Sequence, residues 1–229
     1  MAAPVRDDES ASDAALEGWV PSLDHATLED WDEVYEPSED TFLLLDALYG
    51  DRARLRAARP SLVVEIGPGS GAVSVYVARL LARKGSAHSV AVDSNPRACA
   101  LAARTAAANG VALDVIVGDL DATLRRGAVD VLIFNPPYVP TPSSEVGSSG
   151  IEASWAGGVR GREVLDRLLP RVGSLLSETG AFYLVAVSEN DVPDISRRLK
   201  DQGLVASTLA AQRARNEALS VLRFSRGGD

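Results

Sequence analysis

Short, almost uninterrupted apolar runs alternate along this chain with stretches whose apolar residues recur every three or four positions. The runs at 61–66, 89–93, 111–117, 129–134 and 180–187 have the length and bounding residues of buried strands. Between them, 72–84, 96–108, 162–176 and 191–202 carry the helical period. Ahead of the first strand, 37–48 does so too, with Phe42, Leu45 and Leu48 on one face. Pro37 suits a first helical position, and Glu39 and Asp40 suit the positive end of the helix dipole. Asn95-Pro96 reads as a helix start and Asn109-Gly110 as its stop. Two closing runs, 204–210 and 218–224, are joined by a piece too short for a crossover, so they pair antiparallel. The expected fold is α/β: a doubly wound, seven-stranded, mostly parallel sheet with an antiparallel last strand.

Length and charge refine this picture. The 229 residues suit one domain with a full core, and 46% hydrophobic with 24% charged residues is ordinary for a globular chain. The net charge of −9 is unevenly placed. Residues 1–33 hold ten acids against Arg6 alone, which leaves the remainder neutral. We therefore expect a disordered acidic arm over residues 1–20 and a single domain over 21–229. The arginines at 52, 54, 56 and 59 read as a solvated helix face. Cys99 is the lone cysteine, a small core filler; it excludes an intrachain disulfide and a cysteine-based metal cluster. The first ten residues lack an apolar signal core and no run approaches membrane-spanning length. The expected setting is cytoplasmic, with nuclear import left open, without membrane or metal.

The candidate chemistry lies at strand ends. Glu65, Asp93, Asp119 and Asn135 fall at or just past the carboxyl ends of four successive strands, where doubly wound sheets bind ligands. Asn135-Pro136-Pro137-Tyr138 is close to rigid, because two prolines fix φ and restrict the residues before them. The segment 139–161, rich in Pro, Ser and Gly with Ile151, Glu152 and Trp155 embedded, is long enough to expect a functional loop, a gate for substrate. Gly67, Gly69 and Gly71 follow the first strand. Together with Ala72 and Asp93 they also satisfy a dinucleotide fingerprint, so a hydride-transfer enzyme competes. Glu65 and Asp119 oppose that reading, since acids beside a pyrophosphate repel it. S-adenosylmethionine, with an ammonium, a sulfonium, a ribose diol and an adenine amine, matches an acid-lined pocket better.

Glu65-x-Gly67-x-Gly69-x-Gly71, Asp93, Asp119-Leu120 and Asn135-Pro136-Pro137-Tyr138 resemble class I, Rossmann-like S-adenosylmethionine-dependent methyltransferases of planar nitrogen. More narrowly, Val34-Tyr35-Glu36-Pro37-x-Glu39-Asp40-Thr41 and Glu145-Val146-Gly147-Ser148-x-Gly150-Ile151-Glu152-Ala153-x-Trp155 are similar to HemK-like release-factor glutamine methyltransferases of the eukaryotic and archaeal form. The resemblance covers about residues 34–226 and leaves the acidic arm outside it. It implies Thr41 near the methionine end of the cofactor, Glu65 and Gly67 at its methionine portion, Asp93 on the ribose and Asp119 with Leu120 at the adenine. Asn135 then lies beside both cofactor and substrate amide. It also implies a class I release factor as substrate and a small zinc-binding activator subunit as partner. With the strand order that the resemblance implies, the run 111–117, with one charge and no proline, is an edge strand, and there we expect that partner to add a strand.

A side-chain amide nitrogen is a poor nucleophile, so the expected catalysis is positioning by acceptors, the Asn135 side chain and the Pro136 carbonyl, with Tyr138 flanking the flat group. Adenine or another amine, such as a protein lysine, fits the same tetrapeptide, and a silent binding module is the reading from a different class. A neutral body with no basic stripe favours protein over nucleic acid.

Overall fold

A computed structural model of the protein describes residues 15–82, 87–148, 150–214 and 217–227. Its strands are β1 Leu62–Ile66, β2 His88–Asp93, β3 Asp114–Val117, β4 Val129–Phe134, β5 Leu176–Val187, β6 Val205–Ala214 and β7 Glu217–Ser225. The helices are α1 Leu28–Trp31, α2 Glu39–Gly50, α3 Arg52–Ala58, α4 Ala72–Leu80, α5 Pro96–Ala108, α6 Glu163–Leu168, α7 Val172–Leu175 and α8 Val192–Lys200. All seven strands form one sheet in the order β3-β2-β1-β4-β5-β7-β6. β1 to β5 pair in parallel, and β7 runs antiparallel between β5 and β6. The expected seven-stranded fold is what forms. Strand order reverses between β1 and β4, so the crevice at their carboxyl ends is the ligand-binding position of such sheets.

Alternate strand residues enter two different cores, as the two-residue period of a strand requires. Val64, Ile66, Leu132, Phe134, Phe182 and Leu184 face α6, α7 and α8. Val63, Val131, Ile133, Tyr183 and Val185 face α2 and α4. Phe134 is fully buried at the last position of β4, directly before the Asn-Pro-Pro-Tyr stretch. Burying such a ring contributes about 2–3 kcal/mol, which anchors the strand end that carries the site.

Several boundaries differ from expectation for identifiable reasons. α2 begins at Glu39 with Ser38 as its cap, so Pro37 precedes the helix instead of opening it. The segment 162–176 is α6 and α7 separated by a 3₁₀ turn over Leu169–Arg171, where Pro170 supplies no N–H. β3 spans four residues, not seven, because the chain still closes α5 at Val111, whose N–H donates to the Ala106 carbonyl (2.9 Å). Asn95 caps α5 as expected, accepting from the Arg97 amide at 2.9 Å. The first fourteen residues of the expected arm lie outside the described residues, but residues 15–20 pack on the body. Leu16 is buried, Trp19 stacks on Tyr76 at 6.0 Å, and the Arg79 guanidinium sits 4.3 Å from the Trp19 ring. Two apolar side chains among many acids, Leu16 and Trp19, are what attach this part of the acidic segment to the body.

Candidate active site

The carboxyl ends of β1, β2 and β4, the residues after β3 and the start of α2 enclose one cavity of about 650 Å³. That size is typical of small-molecule sites. Thr41, Glu65, Gly67, Gly69, Asp93, Asp119, Leu120, Asn135, Pro136, Pro137 and Tyr138 all line it. Gly71, expected among the cofactor contacts, does not. A Cβ there would lie 2.7 Å from the Ala102 backbone, at φ +82°. That glycine lets α4 and α5 approach each other, so its use is in helix packing. Gly67 and Gly69 also have positive φ and do form the cavity wall.

The β1–β3 side of the cavity is acidic, buried at Glu65 and open at Asp119. Glu65 is 3% exposed and accepts from the Ser74 hydroxyl on α4; burial pushes its carboxyl up to about 8. Asp93 accepts from the Asn95 amide (2.9 Å) and the Gly69 amide (3.3 Å), tying strand end to glycine loop, and burial raises its pKa as well. A partly shielded pair of carboxyls facing one space is a fit for an ammonium and a ribose diol. Leu120, buried, holds φ +51°, a left-handed conformation that costs a non-glycine residue about 1–2 kcal/mol and recurs where a backbone is shaped to a ligand. The neighbouring Asp119 stands at the exposed rim, ion-paired with Arg167 of α6. Arg167 was not foreseen, since its spacing marks only a solvated helix face.

The β4 side is built by residues from distant parts of the chain. Asn135 donates from Nδ2 to Asp40 Oδ2 at 2.8 Å, and its Oδ1 is buried without a partner. The Tyr138 carbonyl accepts from the Asn190 side chain (2.9 Å), which also donates to the Arg160 carbonyl (2.8 Å) and accepts from the Val187 amide (2.8 Å). The 139–161 segment folds back on the tetrapeptide. Val139 N–H donates to the Trp155 carbonyl (2.9 Å), Gly157 N–H to the Val139 carbonyl (2.8 Å) and Thr141 N–H to the Gly158 carbonyl (3.1 Å). Gly157 and Gly161 lie so close that an added Cβ would meet the Pro137 and Tyr138 carbonyls at 2.5 and 1.7 Å. Trp155, half-buried, lines the cavity, while Ile151 does not. The segment is a wall fastened to the tetrapeptide.

The sequence matches the Methyltransferase small domain family over residues 41–148. It is 48% identical over 197 residues to Methyltransferase HEMK2 of Mus musculus, spanning 85% of this chain and 90% of that one. It is 37% identical over 224 residues to the eRF1 methyltransferase catalytic subunit mtq2 of Schizosaccharomyces pombe, spanning 92% and 96%. Among solved structures, the E. cuniculi Mtq2-Trm112 complex, described as responsible for methylation of the eRF1 translation termination factor, superposes with a TM-score of 0.64 at 26% identity. That match covers 85% of this chain and 99% of that one. With its glycine loop, strand-end acids and asparagine gathered around one cavity, this chain belongs to the HEMK2/Mtq2 family of methyltransferases.

Proposed function

We propose that this methyltransferase transfers the methyl group of S-adenosylmethionine to the side-chain nitrogen of the glutamine in the Gly-Gly-Gln loop of a class I translation termination factor. The observation that carries the reading is the buried Asn135 Oδ1, an acceptor with no partner on the wall of the acid-lined cavity. A buried acceptor left unpaired costs about 1–3 kcal/mol, and a substrate NH₂ group relieves it. Glu65 would hold the ammonium of the cofactor and Asp93 its ribose, and the cofactor would supply an electrophilic methyl on sulfur. Asn135 and the Pro136 carbonyl accept from the flat NH₂ group and hold its lone pair toward that methyl. As the N–C bond forms and the S–C bond breaks, positive charge grows on nitrogen and both hydrogen bonds strengthen, which lowers the barrier selectively. The nitrogen then gives up a proton to water.

Charge favours a protein substrate. Among the described residues lining the cavity, Glu33, Asp40, Glu65, Asp93 and Asp119 are acids and Arg167 is the lone arginine or lysine, a setting that repels a phosphodiester. The Mtq2 relatives are named for a termination factor, and a solved relative is seen with a Trm112 subunit. By the same reading a small zinc-binding subunit adds to the edge strand β3, which pairs on one side with β2 and leaves Val117 57% exposed. Labelled methyl transfer to a purified termination factor, with and without that subunit, tests this directly. Label should appear on the loop glutamine and vanish when that residue is replaced by alanine. Label that persists after the replacement overturns the substrate assignment.

A further inference from the structure

An asparagine amide presents two nearly isosteric ends, and only one serves this site. If Nδ2 faced the substrate, a donor would oppose the NH₂ group and the stabilisation of developing positive charge would be lost. Nothing local to Asn135-Pro136-Pro137-Tyr138 decides between the two orientations. The decision comes from 95 residues away in the chain. Asp40 is the second residue of α2, 4% exposed, and its Oδ2 lies 2.8 Å from Asn135 Nδ2. A carboxylate oxygen only accepts, so the amide nitrogen must face it and Oδ1 must face away. The second oxygen of Asp40 and the Oδ1 of Asn135 are both buried without a partner. Neither has another contact that would hold the amide the other way round.

We infer that Asp40 is a positioning residue: it locks the side-chain amide of Asn135 in the one orientation that offers an acceptor to the methylated nitrogen. The inference rests on the reading of the cavity as a site for a flat NH₂ group, and it deepens that reading by naming what sets the polarity of Asn135. It also explains why an acid occupies the buried start of α2. The positive end of the helix dipole favours an acid at that position.

Two measurements test it, one with turnover and one without. In the heterodimer assay, Asp40→Ala should lower kcat by ~10²-fold, the scale of a misoriented reacting group, while the Kd for S-adenosylmethionine stays within about twofold. Asn135→Ala should lower kcat by ~10²–10³-fold, as for loss of an oxyanion-hole donor, and adding D40A to it should cost nothing more. A further full-sized loss in the double variant, or wild-type kcat in D40A, overturns the inference. The exchanged pair D40N/N135D covers the case in which D40A does not fold. There the amide donor sits at 40 and an acceptor faces the substrate again, so turnover should exceed that of N135D by at least ~10-fold; no gain overturns the lock. Independently of any substrate, the side-chain ¹⁵N–H resonances of Asn135, assigned by their loss in N135A, should be shifted downfield and protected from exchange. In D40A they should move to the positions of a free amide. If they are protected in both proteins, the lock is absent. If they respond as expected but no termination factor is methylated, the lock stands and the substrate reading falls.

Discussion

The two halves of the cavity are supported in opposite ways. In the half formed by β1, β2 and their loops, polar groups are held from at most 24 positions away in sequence. Glu65 accepts from Ser74 nine positions on, and Asp93 from Asn95 two positions on and from Gly69 24 positions back. In the half formed by the tetrapeptide, Asn135 is held from 95 positions away and the Tyr138 carbonyl from 52. The first half is complete within two successive strand-loop-helix units. The second exists only once α2, β5 and the 139–161 segment have docked. Lesions in the second half should therefore damage turnover and folding together, and lesions in the first should act on cofactor affinity.

The sharpest break of this contrast is at Gly161. Its φ is +65°, and a Cβ would sit 1.7 Å from the Tyr138 carbonyl, backbone against backbone. Gly161→Ala should destabilise by more than ~3 kcal/mol, because neither partner can move without displacing the tetrapeptide. At 2–4 °C per kcal/mol for a chain this size, Tm should fall by about 6–12 °C. Thermal denaturation by circular dichroism measures it, and a Tm within about 2 °C of wild type would show that the segment is not fastened there. Gly147 makes the control: it also has positive φ, but nothing lies within 4 Å of an added Cβ, so its alanine variant should lose much less.

Asn190→Ala should have a smaller effect of the same kind. It strips partners from the Tyr138 and Arg160 carbonyls and the Val187 amide, groups inside a region that Asn190 itself, 1% exposed, seals from water. Unpairing these groups should cost about 2 kcal/mol, within the range for buried polar groups, so Tm should drop by about 4–8 °C. Turnover should fall with S-adenosylmethionine affinity preserved, as isothermal titration would show. A loss of cofactor affinity larger than the loss of kcat would mean that the two halves are not separately supported.

The same contrast explains what was readable in the sequence. Glu65, Asp93, Asp119 and Asn135 were legible because apolar runs mark strands, and each of these polar residues lies at or within two residues of the end of one. Alternation of strands and helices and one short connection implied a mostly parallel sheet with an antiparallel end, while its order entered only through the family resemblance. The residues that complete the β4 half were not legible. Asn190 lies in Ser188-Glu189-Asn190, which has no feature beyond a turn, and Asp40 read as a helix-dipole acid because its partner is 95 positions away. Leu120 carries no outward sign of its left-handed backbone, since the strain is imposed by surroundings and not by residue type. The place of Gly71 behind the cavity wall was hidden for a related reason. A glycine in a loop looks the same whether it yields space to a ligand or, as here, to the Ala102 backbone.

The subtlest test is on the other half, at Glu65. Burial raises its carboxyl from an ordinary 4.5 to about 8. Between those values the folded ligand-free protein keeps a proton that the unfolded chain has released, so stability falls as pH rises. The contribution is complete below about 4.5 and gone once pH passes about 8. Glu65→Gln, which is neutral throughout, should remove this dependence. Between pH 7 and pH 9 the wild-type Tm should drop relative to the variant by about 3–6 °C, the scale of ~1.4 kcal/mol. Cofactor binding should carry the opposite sign. An ammonium beside Glu65 favours the carboxylate, so binding below pH 8 releases a proton and affinity weakens as pH falls. Titration calorimetry in buffers of different ionisation enthalpy would detect that proton. Its absence, with unchanged affinity in E65Q, would move the ammonium elsewhere in the cavity. Because the Asn135 lock needs no proton from Glu65, kcat at saturating cofactor should keep its pH profile in E65Q even where the Kd does not, which separates the two halves without disturbing the fold.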